Sequence, residues 1–265
     1  MPTATVNGTR MNYTDTGGEG TPVLLIHAFP LHAGMWQPQI DSLGHRFRLI
    51  APHLKGFGGS DAPSEASEYS MDGYARDLKG LLDELGIDKP VMVGLSMGGY
   101  IAFAFLRLYP DSVAALVLAD TRAEADPPEG KERRTAQQAQ VREQGTAALI
   151  DTLSGALLGE ATRTSKPEVV EHAKGLMDNP GHGFIGALEA MKNRPDSSGD
   201  LARIKAPTLV IVGENDGVTP PEASRKMHEH VGGSRLVVLP GVGHLSNLES
   251  PEAFTAALED FLSQL

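Results

Sequence analysis

The chain has 265 residues with 34 acidic and 23 basic side chains, which gives a formal net charge of -11, and 40% of its residues are hydrophobic. This length and composition suit a globular protein with a sizeable core, and the acidic excess disfavours nucleic acid as a partner. The absence of cysteine excludes disulfides and thiolate catalysis and removes the ligands of most structural zinc sites. No signal peptide or membrane-spanning run stands out, so we expect a soluble cytoplasmic protein without a membrane partner.

An antiparallel hairpin is the first predicted element, within residues 3–17. Its two short alternating runs are separated by Asn7-Gly8, a pair in which both residues tolerate positive φ. Six short apolar runs of the kind buried on both faces of a parallel sheet follow, at residues 22–27, 47–54, 91–95, 113–120, 207–214 and 234–240. Helical patterns separate most of these runs. The sequence therefore predicts an α/β fold, with a mostly parallel, twisted sheet of about eight strands and helices on both faces.

The alternation of strand and helix patterns is interrupted between about residues 121 and 200. This interval opens with the charged segment RAEADPPEGKERR, continues with helical patterns and closes with the turn-forming segment NRPDSSGD. Structureless loops of this length are rare in compact domains. We therefore predict an inserted helical cap at residues 122–199, with residues 1–121 and 200–265 forming the core.

One serine stands between glycines where an apolar run changes from a strand pattern to a helical pattern, in MVGLSMGGYIAFA at residues 92–104. The segment from Gly94 to Gly98 matches Gly-x-Ser-x-Gly, and a strand before it and a helix after it are the context of a nucleophile elbow. Neighbours without a Cβ relieve the clashes that such a strained, close turn would otherwise create. The alternative is a glycine-rich turn that binds a phosphate or only packs tightly. Ser96 is the predicted nucleophile.

A serine hydroxyl needs an imidazole to remove its proton, and the imidazole needs an acid to orient it. Among nine histidines, His244 follows the last strand-like run through a Gly-Val-Gly loop, at the carboxyl edge of the predicted sheet. Asp216 comes just after the preceding strand-like run, and the order Ser96, Asp216, His244 is the one expected for this kind of site. Asp120 and Glu214 also follow strand-like runs and are rival candidates for the acid.

Two backbone amides are predicted to bind the oxyanion that forms during acyl transfer. One belongs to Met97, directly after the nucleophile, and the other to Phe29, in the loop HAFPLHAGMW after an early strand. Apolar residues of that loop and of the cap are candidates for lining the substrate pocket, although the cap residues also suit packing between the cap's own helices. The candidates are Phe29, Trp36, Leu153, Leu157, Met177 and Phe184.

Taken together, these motifs resemble the α/β-hydrolase superfamily over nearly the whole chain. The segments that carry the resemblance are HAFPLHAGMW, PHLKGFGGSD, GLSMGGY, GENDGVTPP and GVGHLSNLE. Within the superfamily the sequence is most similar to bacterial carboxylesterases near the cofactor-free perhydrolases and the 3-oxoadipate enol-lactonases. It departs from that pattern at Ala28, where glycine is usual, and at His53 and Lys55, where related chains often have Asp and Arg.

The residues and the resemblance together predict a carboxylic ester hydrolase that acts through an acyl-enzyme on small esters with short acyl chains, without a cofactor or metal. A lactonase or a perhydrolase with the same triad is an open alternative. A non-enzymatic small-molecule receptor on this fold is an alternative of another class. The haloalkane dehalogenases and epoxide hydrolases that resemble this chain in fold attack with a carboxylate. A serine at position 96 therefore disfavours alkyl-enzyme chemistry.

Overall fold

The computed structural model describes residues 1–265, which form one eight-stranded sheet with helices on both faces. The strands are β1 (Thr3–Val6), β2 (Thr9–Asp15), β3 (Pro22–Ile26), β4 (Arg48–Pro52), β5 (Val91–Leu95), β6 (Ala115–Ala119), β7 (Thr208–Gly213) and β8 (Arg235–Leu239). Their order is β1-β2-β4-β3-β5-β6-β7-β8. The pairs β1-β2 and β2-β4 are antiparallel and all the others are parallel. The predicted fold class is confirmed.

The hairpin turn that opens the chain has the conformation that its sequence predicts. Asn7 and Gly8 form a two-residue loop between β1 and β2, with φ of 50° and 78°. Positive φ at both positions matches the right-handed twist of the two flanking strands, which is why Asn-Gly is favoured in such turns.

Eleven helices connect or follow the strands, and five of them are inserted between β6 and β7. The helices are α1 (Gln37–Leu43), α2 (Met71–Glu84), α3 (Met97–Leu108), α4 (Pro128–Gln144), α5 (Thr146–Leu157), α6 (Glu160–Ser165), α7 (Pro167–Leu176), α8 (Gly181–Lys192), α9 (Pro221–His230), α10 (Ser246–Glu249) and α11 (Pro251–Leu262). We call α4 to α8 the helical insertion. No helix has both the length and the apolar character that crossing a bilayer requires.

The hydrophobic core has two parts, one on each face of the sheet. In β3, Leu24 and Ile26 belong to one buried cluster, while Val23 and Leu25 belong to the other. Successive side chains of a strand point to opposite faces, so the two clusters lie on opposite sides of the sheet. Buried side chains of α2 and α3 cover the first face, and those of α11 cover the second. The central parallel strands β3, β5 and β6 are apolar throughout because both of their faces are buried.

The strand order reverses direction at β3, because the chain passes from β3 to β4 on one side and then returns to β5 on the other. In open α/β sheets, ligands bind outside the carboxyl ends of the strands at such a switch point. The loops that follow β3 and β5 carry Phe29 and Ser96, so the topology alone brings these two residues to one crevice.

The helical insertion packs against the carboxyl edge of the sheet at the loops after β3 and β4. The Asn179 side chain donates to Pro30 O at 3.0 Å and accepts from the Gly58 N–H at 2.8 Å. At the start of α8, a Cβ on Gly183 would lie 2.0 Å from Gly56 O, so only glycine allows this approach of the helix. The insertion therefore lies directly over the loop that carries Phe29.

Candidate active site

Ser96 occupies a sharp turn between β5 and α3, with φ of 56° and ψ of -113°. A Cβ on Gly94 would lie 2.5 Å from the backbone of Gly98, and a Cβ on Gly98 would lie 2.3 Å from Ile26 O. Contacts this short are forbidden, so glycine at these two positions is what lets the helix approach the strands. The turn lifts the Ser96 side chain above the carboxyl ends of the strands.

A continuous chain of hydrogen bonds joins the three side chains that the sequence analysis singled out. The Ser96 hydroxyl lies 2.8 Å from His244 Nε2, and His244 Nδ1 lies 2.8 Å from Asp216 Oδ2. A carboxylate only accepts, so the imidazole proton belongs on Nδ1, which leaves Nε2 free to accept from the serine. All three residues are buried, and Ser96 keeps 8% of its surface exposed. This is the arrangement that a general base and a serine nucleophile require.

The Asp216 carboxylate is held by several donors from its own loop. Oδ1 accepts from the N–H groups of Val218 and Thr219, at 2.8 and 2.9 Å, and Oδ2 accepts from the Thr219 hydroxyl at 2.6 Å. Burial acts to raise the pKa of Asp216, but the charge and hydrogen bond of His244, together with the Thr219 bonds, lower it below its ordinary value. The carboxylate therefore stays ionised and fixed.

His244 is tuned in the opposite direction by the same contact. Complete burial acts to lower its pKa, but the charge of Asp216 and the hydrogen bond from Nδ1 outweigh burial and raise the pKa above its ordinary value. The imidazole can therefore take up a proton from Ser96 without losing its hydrogen bond to Asp216. A raised pKa makes His244 Nε2 a stronger base toward the Ser96 proton.

Neither rival acid hydrogen-bonds the His244 ring. Asp120 is fully buried, where it accepts from the Gly213 N–H at 2.8 Å and from the Ser246 hydroxyl. Glu214 is exposed and accepts from the Gly241 N–H at 2.8 Å. Of the three candidate acids, Asp216 alone hydrogen-bonds the imidazole.

Of the two amides predicted to bind the oxyanion, that of Met97 directly follows Ser96, and that of Phe29 lies in the loop after β3, the strand paired with β5. Met97 is the first residue of α3, so its N–H is one of the four that a helix leaves without an internal acceptor. The Phe29 N–H has no acceptor elsewhere in the protein. The Phe29 ring packs edge-on against Phe184 of α8, with centroids 5.5 Å apart. Its side chain therefore lies between the site and the insertion, while its amide is free.

A second group of histidines lies on the β3 and β4 side of the site. His27 is fully buried, with Nδ1 donating to Ala28 O at 3.0 Å and Nε2 accepting from the Leu54 N–H at 3.1 Å. The rings of His32 and His53 lie 5.2 Å apart, and His53 Nδ1 is buried without a hydrogen-bond partner. No set of three or more histidine, aspartate or glutamate side chains is arranged to hold a metal ion.

The other residues predicted to line the pocket are largely enclosed. Trp36, Met177 and Phe184 expose no surface, Leu157 exposes 5%, and Leu153 is half-buried. The Trp36 ring packs against Phe254 of α11, with centroids 5.9 Å apart. The fully buried members have no surface open to a ligand in this conformation, and their contact with substrate stays a prediction.

Sequence reasoning missed two residues that hold the site together, Thr219 and Glu249. Thr219 supports the acid, three residues after Asp216, at a spacing where a side chain and backbone commonly form a turn motif. Glu249 is buried and accepts from the Gly159 N–H at 2.9 Å and from the Thr162 hydroxyl at 2.6 Å, which ties the insertion to the loop of His244. No sequence pattern indicated the contacts of Glu249, because they join positions far apart in the chain.

Residues 21–251 match the sequence model of the alpha/beta hydrolase fold, and the chain therefore belongs to that family. The structure is similar to a thermophilic esterase from Thermogutta terrifontis, solved with malate bound, with a TM-score of 0.94 and 39% identity over 99% of this chain and 98% of the esterase.

Two further relatives define the range of chemistry in the family. The 3-oxoadipate enol-lactonase 2 of Acinetobacter baylyi is 29% identical over 97% of this chain and 94% of its own length. The epoxide hydrolase 3 of Xenopus tropicalis is 26% identical over 97% of this chain and 76% of its own length. The protein is thus an α/β-hydrolase with esterase, enol-lactonase and epoxide hydrolase relatives.

Proposed function

We propose that the protein is a serine carboxylesterase that hydrolyses small esters with short acyl chains through an acyl-enzyme. The observation that carries this proposal is the hydrogen-bond chain from Ser96 Oγ through His244 to Asp216, with both links at 2.8 Å. The similarity to the Thermogutta terrifontis esterase over almost the full length of both chains supports it.

In the proposed mechanism, Ser96 Oγ attacks the ester carbonyl carbon while its proton passes to His244 Nε2. Asp216 holds the imidazole by Nδ1 and stabilises the cation that forms. His244 then gives the proton to the leaving alcohol, and the acyl group stays on Ser96. A water molecule, deprotonated by His244, attacks the acyl carbon, and the acid leaves as Ser96 takes the proton back.

The amides of Phe29 and Met97 supply the electrostatic part of the mechanism. Each would donate to the carbonyl oxygen as it becomes an oxyanion, and neither has to break another hydrogen bond of its own. The positive end of α3 points to the same place, because Met97 is its first residue. Donors fixed before the reaction require little reorganisation in the transition state.

The preference for small substrates rests on the helical insertion, which we propose acts as a cap. It lies over the Phe29 loop, and only 8% of the Ser96 surface is exposed. Large polymers do not fit such an enclosed serine. The closed fit of Phe184 against Phe29 also implies that the cap shifts when substrate enters.

The first experiment is hydrolysis of p-nitrophenyl esters of increasing acyl length, with Ser96→Ala as the test variant. Ser224→Ala is the matched control, because Ser224 is a fully buried serine of α9 whose hydroxyl has no partner. We expect turnover that peaks at short chains, is lost in Ser96→Ala and persists in Ser224→Ala. Turnover that survives Ser96→Ala would overturn the assignment of the nucleophile. An absence of multiple turnovers on every ester would favour the receptor or a different acyl substrate.

Hydrolysis of a lactone that carries a carboxylate is the second candidate function. The Asp126 carboxylate forms ion pairs with three guanidinium groups, with nitrogen–oxygen distances of 2.8 to 2.9 Å. They belong to Arg122, Arg134 and Arg194, so the cluster carries two more positive than negative charges. Arg194 also lies 4.0 Å from the ring of Tyr100, one helical turn beyond Ser96. This surplus of positive charge in and beside the helical insertion favours an anionic substrate, and the relatedness to an enol-lactonase supports the same candidate.

Matched pairs of neutral and carboxylate-bearing γ-lactones and esters test the second candidate. We expect Arg134→Gln to raise KM by about tenfold for the anionic member of each pair only, which is the cost of a single lost charge contact. Arg46→Gln, at an exposed ion pair with Glu259, is the control. An equal effect on neutral and anionic substrates would contradict a carboxylate contact. Perhydrolase activity is assayed separately on the same variants, with acetate and hydrogen peroxide as the substrates.

A further inference from the structure

The end of β6 is a second strained turn beside the nucleophile. Asp120 has a φ of 44°, and it is one of three non-glycine residues with positive φ, together with Asn7 and Ser96. The Ser96 N–H donates to Ala119 O at 2.9 Å, so the strained ends of β5 and β6 lie side by side. Strain of this kind persists only where surrounding contacts fix it, and it concentrates at functional sites.

The Asp120 side chain joins the loop of the acid to the loop of the base. Oδ1 accepts from the N–H of Gly213, the last residue of β7, at 2.8 Å, and Oδ2 accepts from the Ser246 hydroxyl. Gly213 precedes Asp216 by three residues, and Ser246 follows His244 by two. One fully buried carboxyl group therefore bridges the two segments that must hold the acid and the base at 2.8 Å from each other.

The next residue extends the same bridge to the nucleophile. The Thr121 hydroxyl donates to Ser96 O at 2.8 Å, and its side chain is fully buried. Asp120 and Thr121 together thus contact the segments of all three side chains of the candidate triad.

We propose that Asp120 is a positioning residue, which fixes His244 relative to Asp216 through its hydrogen bonds to Ser246 and Gly213. This inference rests on the proposed esterase function, since it concerns the geometry of the same triad. Asp120 does not touch the reacting atoms, and its effect is carried by the two loops that it joins.

The effect is carried by the shape and hydrogen bonds of the Asp120 side chain. Burial, followed by the negative charge of Asp216, raises the pKa of Asp120 well above its ordinary value. A neutral carboxyl group can be replaced by an amide, which accepts from Gly213 and donates to Ser246 Oγ. Asparagine also tolerates positive φ. Asp120→Asn is therefore the conservative variant, whereas Asp120→Ala removes the bridge.

The test compares kcat and KM of Asp120→Ala and Asp120→Asn on the ester that wild type turns over fastest. We expect kcat to fall by about 10- to 100-fold in Asp120→Ala with KM within about threefold of wild type, because misplaced catalytic groups cost rate more than affinity. Asp120→Asn should recover kcat to within about threefold of wild type. Asp77→Ala, which removes a buried carboxylate paired with Lys55, is the control and should lower stability without changing kcat.

Ser246→Ala keeps the test informative if Asp120→Ala does not fold, because it removes the same bridge without strain at position 120. It should lower kcat several-fold, and combining it with Asp120→Ala should lower kcat no further than Asp120→Ala alone. Wild-type kcat in folded Asp120→Ala or in Ser246→Ala would overturn the proposal, as would a kcat of Asp120→Asn as low as that of Asp120→Ala. Failure of the esterase proposal is distinguished from these results, because wild type itself would then show no Ser96-dependent turnover.

Discussion

Three buried histidines follow strands at one edge of the sheet, and only one of them is equipped as a base. His27 comes directly after β3, His53 directly after β4, and His244 lies in the loop after β8. His244 hydrogen-bonds the Asp216 carboxylate, while neither His27 nor His53 hydrogen-bonds any carboxylate. The comparison separates the effect of burial from the effect of a charged partner.

The pKa values of the three histidines follow that difference. Burial lowers the pKa of His27 to about 3 and that of His53 to about 4. His244 is buried as deeply, yet the Asp216 carboxylate raises its pKa above the ordinary value. Burial by itself therefore makes a permanently neutral histidine, suited to fixing loops. A neighbouring carboxylate is what lets a buried histidine carry a proton during turnover.

The largest expected effect comes from replacing His244 by glutamine, with the same replacement of His53 for comparison. His244→Gln should lower kcat/KM for a p-nitrophenyl ester by about 10⁵-fold, because Ser96 loses its general base. His53→Gln should stay within about threefold of wild type, because His53 moves no proton. Circular dichroism of both variants establishes that they fold. A loss in His53→Gln close to that in His244→Gln would break the distinction between the two histidines.

Removing the charged partner should have the next largest effect. Asp216→Asn should lower kcat/KM by about 10³-fold, because the amide can donate to Nδ1 and hold the imidazole in the wrong tautomer. Glu214→Gln, in the same loop but exposed, should leave the rate unchanged. The same kinetic assay identifies the acid, since a rate retained in Asp216→Asn and lost in Glu214→Gln would reverse the assignment.

Much of the fold could be predicted because the central parallel strands are buried on both faces and so have apolar sequences. The predicted ends of the strands were less accurate than their positions in the chain. The run 47–54 predicted a strand that extends beyond β4, which ends at Pro52. Apolar residues such as Leu54 continue past the strand because the loop itself is buried under the insertion. Hydrophobicity marks burial, and burial does not stop where the strand stops.

The site was predictable where a local rule applied. The glycines around Ser96 report the close approach of a helix to a strand, and Asp216 and His244 each follow a strand at the ligand-binding edge. The bridging role of Asp120 could not be predicted, because its contact with Ser246 joins positions 126 residues apart in the chain. The same holds for the role of His27, which depends on the register between the β3 and β4 loops.

The buried His53 should make stability depend on pH. Its folded pKa of about 4 lies below its ordinary value of 6.5, so the unfolded chain binds the extra proton between these values. This contribution to stability is present above the ordinary pKa and is lost as the pH falls toward 4. Between about pH 7.5 and about pH 5 the loss is about 2 kcal/mol.

Urea unfolding of wild type and His53→Gln at both pH values measures that loss. Glutamine does not titrate, so the variant should lose about 2 kcal/mol less than wild type on acidification. His172→Gln is the control, because His172 is exposed on α7. A variant whose free energy of unfolding falls as steeply as that of wild type would show that His53 is not held neutral in the folded protein.

The smallest expected effect concerns the hydroxyl that supports the charged partner of His244. Thr219 Oγ1 donates a hydrogen bond to Asp216 Oδ2, the oxygen that also accepts the hydrogen bond from His244 Nδ1. Thr219→Val keeps the shape and removes this donor, while the N–H groups of residues 218 and 219 still bind Oδ1. We expect kcat to fall by about three- to tenfold, the cost of one hydrogen bond. Thr219→Ser, which keeps the hydroxyl, should restore the rate.

The size of the Thr219→Val effect sharpens the comparison between His244 and His53. A loss of kcat well below that of Asp216→Asn means that the charge of the Asp216 carboxylate is what makes His244 basic. The hydrogen bonds to the carboxylate then only hold the carboxylate in place. A loss as large as that of Asp216→Asn would contradict this account, because the orientation of the carboxylate would then matter as much as its charge. The same kinetic assay on all three variants decides between these possibilities.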